Sequence, residues 1–489
     1  MSAPFRHRAT IGLEVHCQVK TETKMFCACR TGFGDAPNTH VCPVCLGLPG
    51  ALPVVNRRAV EQTILAGLLL GSRIPEVTSW DRKNYFYADL PKNYQISQVQ
   101  RPVCVGGGLQ LDAFDYPQDA RKTIARPGVF IRLNHIHLEE DVGKSTHCES
   151  HSLIDFNRAG TPLLEIVTEA DLESAEEAVA CLNAMRQMLV YGAISDADME
   201  KGQMRCDVNL SVRPDGQEAL GPKVELKNLN SIGAVRRAIR HEIERQSADL
   251  DRGIVQEQST RRWDDDRGGS QVLRTKEDAH DYRYFPDPDL VPVFTAALVA
   301  AARTRVPELP GPKRARFARD FGVTPYDAAV LAADRALADW FERAATGSRS
   351  PKRVANWLIN ELMAWLNDRG LAIDRFPVAP GKFRELVDLV DAGTLSQSQA
   401  REVFRELCAA PDKDPATIAK EEGFEQVNDC PALEAAVAAV LARFPDEAAE
   451  AAAGNAKVFN WLAGQVMKDS GGKANPGLVA GILRRKAGI

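Results

Sequence analysis

The sequence predicts an α+β protein, a strand-rich first part holding a few helices followed by an all-helical second part. Runs that alternate strictly between apolar and polar residues recur between Ile11 and Asn230, the period-2 signature of half-buried strands. The prolines at 286, 288, 292, 307, 310 and 312 then interrupt regular structure, and beyond them strand patterns nearly vanish. Helical spacing takes over, as in Val354, Trp357, Leu358, Leu362, Trp365 and Leu366, which mark one apolar face packed by two tryptophans.

The first run, Ile11 to Lys20, puts Ile11, Leu13, Val15, Cys17 and Val19 on one face and Glu14, His16, Gln18 and Lys20 on the other. Glu14 and His16 therefore project the same way, about 7 Å apart along the strand. Next come Cys27-Ala-Cys29 and, after twelve residues, Cys42-Pro-Val-Cys45. Two close thiol pairs around a loop long enough to fold back suit closed tetrahedral zinc, a staple for residues 30–41 with no open position for chemistry. Gly106-Gly107-Gly108, flanked by Val103, Val105, Leu109 and Leu111, reads as a hairpin turn. Gly143-Lys144-Ser145 is not a phosphate-binding loop, because the required first glycine would fall at Leu138.

In His135 to Val142 the alternation groups Ile136, Leu138 and Val142 with Glu140, while His135, His137, Glu139 and Asp141 share the opposite face. In Thr161 to Thr168 it sets Glu165 between Leu163 and Val167. Glu140 and Glu165 are thus carboxylates in apolar company, expensive unless paired or holding a cation. Oxygen ligands with one imidazole suit magnesium or manganese; salt bridges inside a sheet are the plainer reading. Arg205 to Arg213 and Lys223 to Asn230 are further strand segments. Their polar faces, Asp207 with Asn209 and Lys223 with Glu225 and Lys227, serve a cleft or, by default, a solvated surface. Helical spacing occupies 174–190 and 234–250, and a capping box opens a later helix at Ser396 with Gln399. After a connector at 409–415, an alanine-rich helical tail ends in a basic segment. There Lys457, Lys468, Lys473, Arg484, Arg485 and Lys486 stand against Asp469 alone, which favours a polyanion such as RNA.

Composition excludes several classes. Of 489 residues, 26% are charged and 44% hydrophobic, with a formal charge of −5, so the chain is a globular protein of several domains and no general nucleic-acid coat. Apolar runs stay short of a membrane span, and the first residues lack the apolar centre of a signal peptide. A cytoplasmic location follows, where the eleven cysteines stay reduced.

Seven motifs carry a family resemblance: Ile11-Gly-Leu-Glu-Val-His16, Asp81-Arg-Lys-Asn-Tyr-Phe-Tyr87, Pro91-Lys-Asn-Tyr-Gln-Ile-Ser97, the run Leu138 to His147, Glu225-Leu-Lys-Asn-Leu-Asn-Ser231, Asp281-Tyr-Arg-Tyr-Phe-Pro286 and Gly472-Lys-Ala-Asn-Pro476. Together they resemble the B subunit of the bacterial aspartyl/glutamyl-tRNA amidotransferases over nearly the whole chain. The resemblance implies a heterotrimer in which the other two members are an amidase and a small third protein. In it this chain is an ATP-dependent ligase acting on Glu-tRNA(Gln), Asp-tRNA(Asn) or both. The side-chain carboxylate becomes an acyl phosphate, and ammonia from the amidase displaces the phosphate. The implied catalytic residues are Glu14, His16, Lys83, Glu140 and Glu165, with magnesium on His16, Glu140 and Glu165. Lys83 and Lys92 resemble positions lining the passage where ammonia arrives. Structural zinc falls to Cys27, Cys29, Cys42 and Cys45, and tRNA contact to Lys457, Lys468, Lys473, Arg484 and Arg485. The implied architecture is a mixed-sheet cradle over 1–294 with its zinc knuckle at 27–45, a helical domain over 295–410 and a tRNA-gripping tail over 411–489. Two other readings are a metal-dependent phosphohydrolase and a tRNA-binding scaffold.

Overall fold

The computed structural model describes residues 7–275, 281–424, 430–470, 474 and 476–487. It is mixed α and β, divided into compact units at Met1–Pro310 and Gly311–Ile489.

The first unit is organised by a mixed sheet with strand His7–Gln18 near its middle. This strand pairs antiparallel with Pro162–Thr168 on one side and Met204–Pro214 on the other. Phe130–Glu140 lies beyond Pro162–Thr168, again antiparallel. On the far side Val224–Lys227 pairs antiparallel with Met204–Pro214 and parallel with Ser259–Asp264. The alternation read from the sequence is realised in burial, since Ile11, Leu13, Val15 and Cys17 are all at most 1% exposed. They join Leu164, Ile166, Val208 and Leu210 in one core. Helices Arg57–Leu69, Ala175–Tyr191 and Ile232–Asp251 contribute to the same core, so one face of the sheet is covered and the other is left for polar groups. Asn56, Ser174 and Ser231 cap those helices with their side-chain oxygens. Helix Ala296–Arg303 also belongs here, with Leu298 and Ala302 in the core.

Gly106–Gly108 does not turn a hairpin. Cys104–Val105 and Gly108–Gln110 both run antiparallel to Phe130–Glu140, at successive positions along it, so the glycines form an offset within one edge. Gly106 and Gly107 have φ of +64° and +95°, and a Cβ on Gly107 would stand 2.5 Å from the Leu70 carbonyl oxygen, leaving room only for glycine.

The second unit is helical and holds two apolar clusters, one over 317–419 and one over 433–483. The helix predicted around Val354 runs from Pro351 to Asn367 with a π-helical turn at Leu358–Leu362. Val354, Leu358, Leu362 and Leu366 are buried along it. Steps of four residues overshoot a full α-helical turn by about 40° each, and the wider π turn brings the row back to one face. Ser396 and Gln399 form the expected capping box. No described helix is long and apolar enough to cross a membrane.

Candidate active site

Strand register assembles the site. His16 lies directly opposite Glu165, and Glu165 opposite His137 on the next strand. On its other side His16 faces Arg205, and two residues along Glu14 faces Asp207. Residues directly opposite share a face, so the rows His137, Glu165, His16, Arg205 and Glu14, Asp207 line the uncovered side of the sheet. Glu139 follows His137 on that face by the period of two.

The distances match this register. Glu165 Oε2 is 3.1 Å from His16 Nε2 and 3.2 Å from His137 Nε2. His137 Nε2 is 3.5 Å from Glu139 Oε2, and Ser97 Oγ donates to that oxygen at 2.9 Å. Burial opposes protonation of His137, but the Glu165 charge and hydrogen bonds to Glu139 and Glu165 outweigh it and push the imidazole up to about 10. Burial likewise works against ionised Glu165, yet His137 and His16 hold its carboxyl well below the usual range. Two buried carboxylates facing each other are therefore kept charged by the two imidazoles.

His16, Glu139 and Glu165 each offer a ligand atom, all within 4.8 Å of one another. Two carboxylates and an imidazole are the donor set for a magnesium-type or manganese-type cation. The sequence reading brought His16 and Glu165 together with Glu140. The structure unites the first two and sets Glu140 apart. Its side chain points to the other face, where Oε1 takes an ion pair from Lys92 and the Ile96 N–H at 2.9 Å. Glu140 and Lys92 border a separate cavity of 150 Å³ beside Cys27 and Cys45. Glu139, on the polar face that alternation had marked, takes the place beside His16.

Glu14 stands away from this trio, within 4.8 Å of Asp207 and Glu225 ligand atoms. Asn209 Nδ2 donates to Glu14 at 2.7 Å. Lys227 pairs with Asp207 and, at 2.9 Å, with Glu225; burial disfavours its charge, but those two carboxylates drive its pKa up. The polar faces of 205–213 and 223–230, read by default as solvated, thus border a cleft of 1190 Å³. His16, Glu165, Lys83, Lys223, Lys227 and Arg274 also line it. The Lys83 side chain makes no hydrogen bond or ion pair among the described residues; its Nζ lies 4.9 Å from the Tyr282 ring centroid. Burial works against its charge, while Glu139 and other nearby groups raise its pKa. Arg205, Asp207, Glu225 and Lys227 were legible only as members of polar strand faces.

The four cysteines do meet. Cys27, Cys29, Cys42 and Cys45 sulfurs lie within 4.8 Å of one another, a cluster able to hold a metal such as zinc. The Cys27 thiol hydrogen bond lowers Cys45 to about 4 against the opposing effect of burial, with help from Lys24. Lys24 is fully buried, its Nζ 3.6 Å from Cys45 Sγ and donating to the His40 and Phe156 carbonyls at 2.7 and 3.2 Å. The intervening loop is tied down as well, the Asn38 N–H donating to Asp155 at 3.0 Å and that of His40 to Asn157 at 2.8 Å.

In the second unit Lys457, Lys468, Arg484 and Arg485 are exposed on helices Ala456–Asp469 and Pro476–Ala487. Arg485 pairs with Glu434, and the Arg484 guanidinium lies over the Phe459 ring. Lys473 falls outside the described residues.

Fold and site define an α+β protein with a catalytic-type cleft whose acidic groups can hold cations, joined to a helical unit. The chain belongs to the GatB family: residues 9–300 match the GatB/GatE catalytic domain and residues 339–486 the GatB domain. It is 49% identical over 481 residues to the B subunit of the aspartyl/glutamyl-tRNA(Asn/Gln) amidotransferase of Methylacidiphilum infernorum, covering 98% of each chain. The proteins of the same name from Persephonella marina and Carboxydothermus hydrogenoformans are 48% and 45% identical, over 97% and 98% of this chain and 98% of each relative.

Proposed function

We propose that the chain is the transferase member of a tRNA-dependent amidotransferase, a ligase converting Glu-tRNA(Gln), Asp-tRNA(Asn) or both to the amidated forms. A side-chain carboxylate oxygen attacks the γ-phosphorus of ATP and ADP leaves. Ammonia then attacks the acyl carbon, phosphate leaves, and the excess proton is lost from nitrogen. The observation that carries this reading is the in-register row His137, Glu165, His16, with Glu139 beside it. It is a cation-ready site facing a cleft large enough for two substrates.

His16, Glu139 and Glu165 would hold magnesium, and Glu14 with Asp207 and Glu225 a further cation. A divalent ion there neutralises charge as one anion approaches another. Lys223, Lys227 and Arg274 supply fixed positive charge along the cleft wall for phosphate oxygens. Lys83, whose side chain has no ion pair among the described residues, would bind a developing anion. Lys92, paired with Glu140, would line the passage for ammonia. The cysteine cluster, with zinc, would brace the loop beside it. Apart from helix Ala296–Arg303, which packs in the first core, the 295–410 and 411–489 regions would form the helical domain and the tail that grips tRNA, through Lys457, Lys468, Lys473, Arg484 and Arg485.

The test is amidation by the heterotrimer assembled with its amidase and its small third member, supplied with ATP, magnesium, glutamine and each misacylated tRNA. Wild type amidates at least one tRNA, and Glu139→Gln and Glu165→Gln lose amidation while ammonia release from glutamine persists. Ammonia release without amidation of either tRNA by wild type would leave the chain a scaffold.

A further inference from the structure

Half of the protein's eight tyrosines form one aromatic row, of which Tyr87 and Tyr282 line the cleft. Tyr87, Tyr85, Tyr282 and Tyr284 follow one another edge to face, with centroid separations of 5.8, 6.0 and 6.0 Å. They come from two distant stretches of chain that the fold joins as strands. Strand Asp81–Asn84 pairs with Phe285–Pro286. Asn84 closes the junction, its backbone N–H donating to the Tyr282 carbonyl at 2.9 Å and its side chain to the Arg283 carbonyl at 2.8 Å. Arg283, between the two tyrosines, has φ of +44°, a conformation that persists where the surroundings over-determine it.

This lip is not core packing. Tyr87 is 60% exposed and its neighbour Phe86 70%, so rings are held in order at the mouth of the cleft without being buried. Lys83 Nζ lies over the Tyr282 and Tyr85 rings. Ordered aromatic faces beside a cation are the equipment for stacking unpaired nucleobases. The cleft has a second, chemically different wall, where Lys223 stands beside Lys227 and Arg274, the latter two paired with the Asp207 and Glu225 carboxylates. Its 1190 Å³ exceeds the roughly 300–1,000 Å³ of a typical small-molecule pocket. The solvent-facing aromatic side therefore suits a chain end entering from outside.

We propose that the tyrosine lip receives the unpaired 3′ end of the tRNA, the terminal base stacking on Tyr87 so that the attached aminoacyl group reaches Glu139 and Glu165. This rests on the transferase reading. The test uses the assembled complex with tRNA carrying 2-aminopurine as its terminal base, comparing wild type, Tyr87→Ala and Tyr87→Phe. Stacking quenches the fluorophore in wild type and Tyr87→Phe, and Tyr87→Ala loses the quench. In steady state Tyr87→Ala raises KM for misacylated tRNA on the order of 5- to 100-fold with KM for ATP unmoved, and Tyr87→Phe restores the wild-type value. A rise in KM for ATP alone would assign the lip to the adenine of ATP and overturn the proposal. An amidating wild type whose Tyr87→Ala variant keeps both the KM and the quench would also refute it. A wild type that quenches in a Tyr87-dependent way but does not amidate would refute the transferase reading alone.

Discussion

Adjacent glutamates with opposite duties give the sharpest prediction. Glu139 sits with His16 and Glu165, whereas Glu140 pairs with Lys92 on the other face of the same strand. In Glu140→Gln the Lys92 ammonium loses its carboxylate in a place where the two side chains are only 10% and 5% exposed. Breaking a buried pair from one side costs about 3–5 kcal/mol, because an uncompensated charge remains. At about 2 °C per kcal/mol for a unit of this size, the unfolding midpoint falls by about 6–10 °C. Replacing both partners, as Lys92→Met with Glu140→Leu, removes the stranded charge and recovers most of that loss. Glu139→Gln behaves in the opposite way. It removes one of two carboxylates around His137, which keeps Glu165 as its partner, so the metal-free protein loses less stability than Glu140→Gln, but manganese affinity drops on the order of 100-fold or more, beyond what loss of a supporting hydrogen bond causes. Scanning calorimetry with and without manganese, and titration calorimetry on the same samples, read both effects. A Glu140→Gln variant that melts like wild type but loses manganese binding would refute the assignment of the two faces.

The other predictions concern charges and thiols elsewhere. Asp141 is 2% exposed and ion-paired to Arg205 and Arg158. Burial acts against its ionised form, but the two arginines hold its carboxyl below the ordinary value. Because the folded-state pKa is depressed, its stabilisation is present above about pH 4 and is lost as pH falls through the folded value. With the two arginines 39% and 30% exposed, Asp141→Asn should cost about 1.5–3 kcal/mol at neutral pH, and denaturant melts should find the gap to wild type narrowing in acid. Cys45→Ser should lower bound zinc by elemental analysis and expose the 30–41 loop to protease, without changing the cleft's manganese affinity. Lys457→Glu with Arg484→Glu should weaken tRNA binding and flatten the log–log salt dependence by about two, with KM for ATP unchanged.

Strands, their faces and the residue types available for chemistry follow from the sequence alone. A period of two comes from backbone geometry, so Ile11, Leu13, Val15 and Cys17 had to face a core and Glu14 and His16 to oppose it. The same rule had already separated Glu139 from Glu140. The cysteine spacing pointed to a meeting of four thiols because only short loops intervene. What alternation cannot supply is which strands are neighbours and in what register. His16 meets Glu165 and His137 only because three strands far apart in sequence align at those positions. Asp207 and Glu225 become walls of a cleft, not a solvated surface, because helices cover only the opposite face of the sheet. Its apolar company and the family resemblance both pointed to Glu140 as a metal ligand, whereas the fold brings Glu139 beside His16 and Glu165, since one step along a strand reverses the side on which a carboxylate projects. The tyrosine lip was equally invisible, because it exists only where Asp81–Asn84 and Phe285–Pro286 pair as strands and bring the neighbouring tyrosines together.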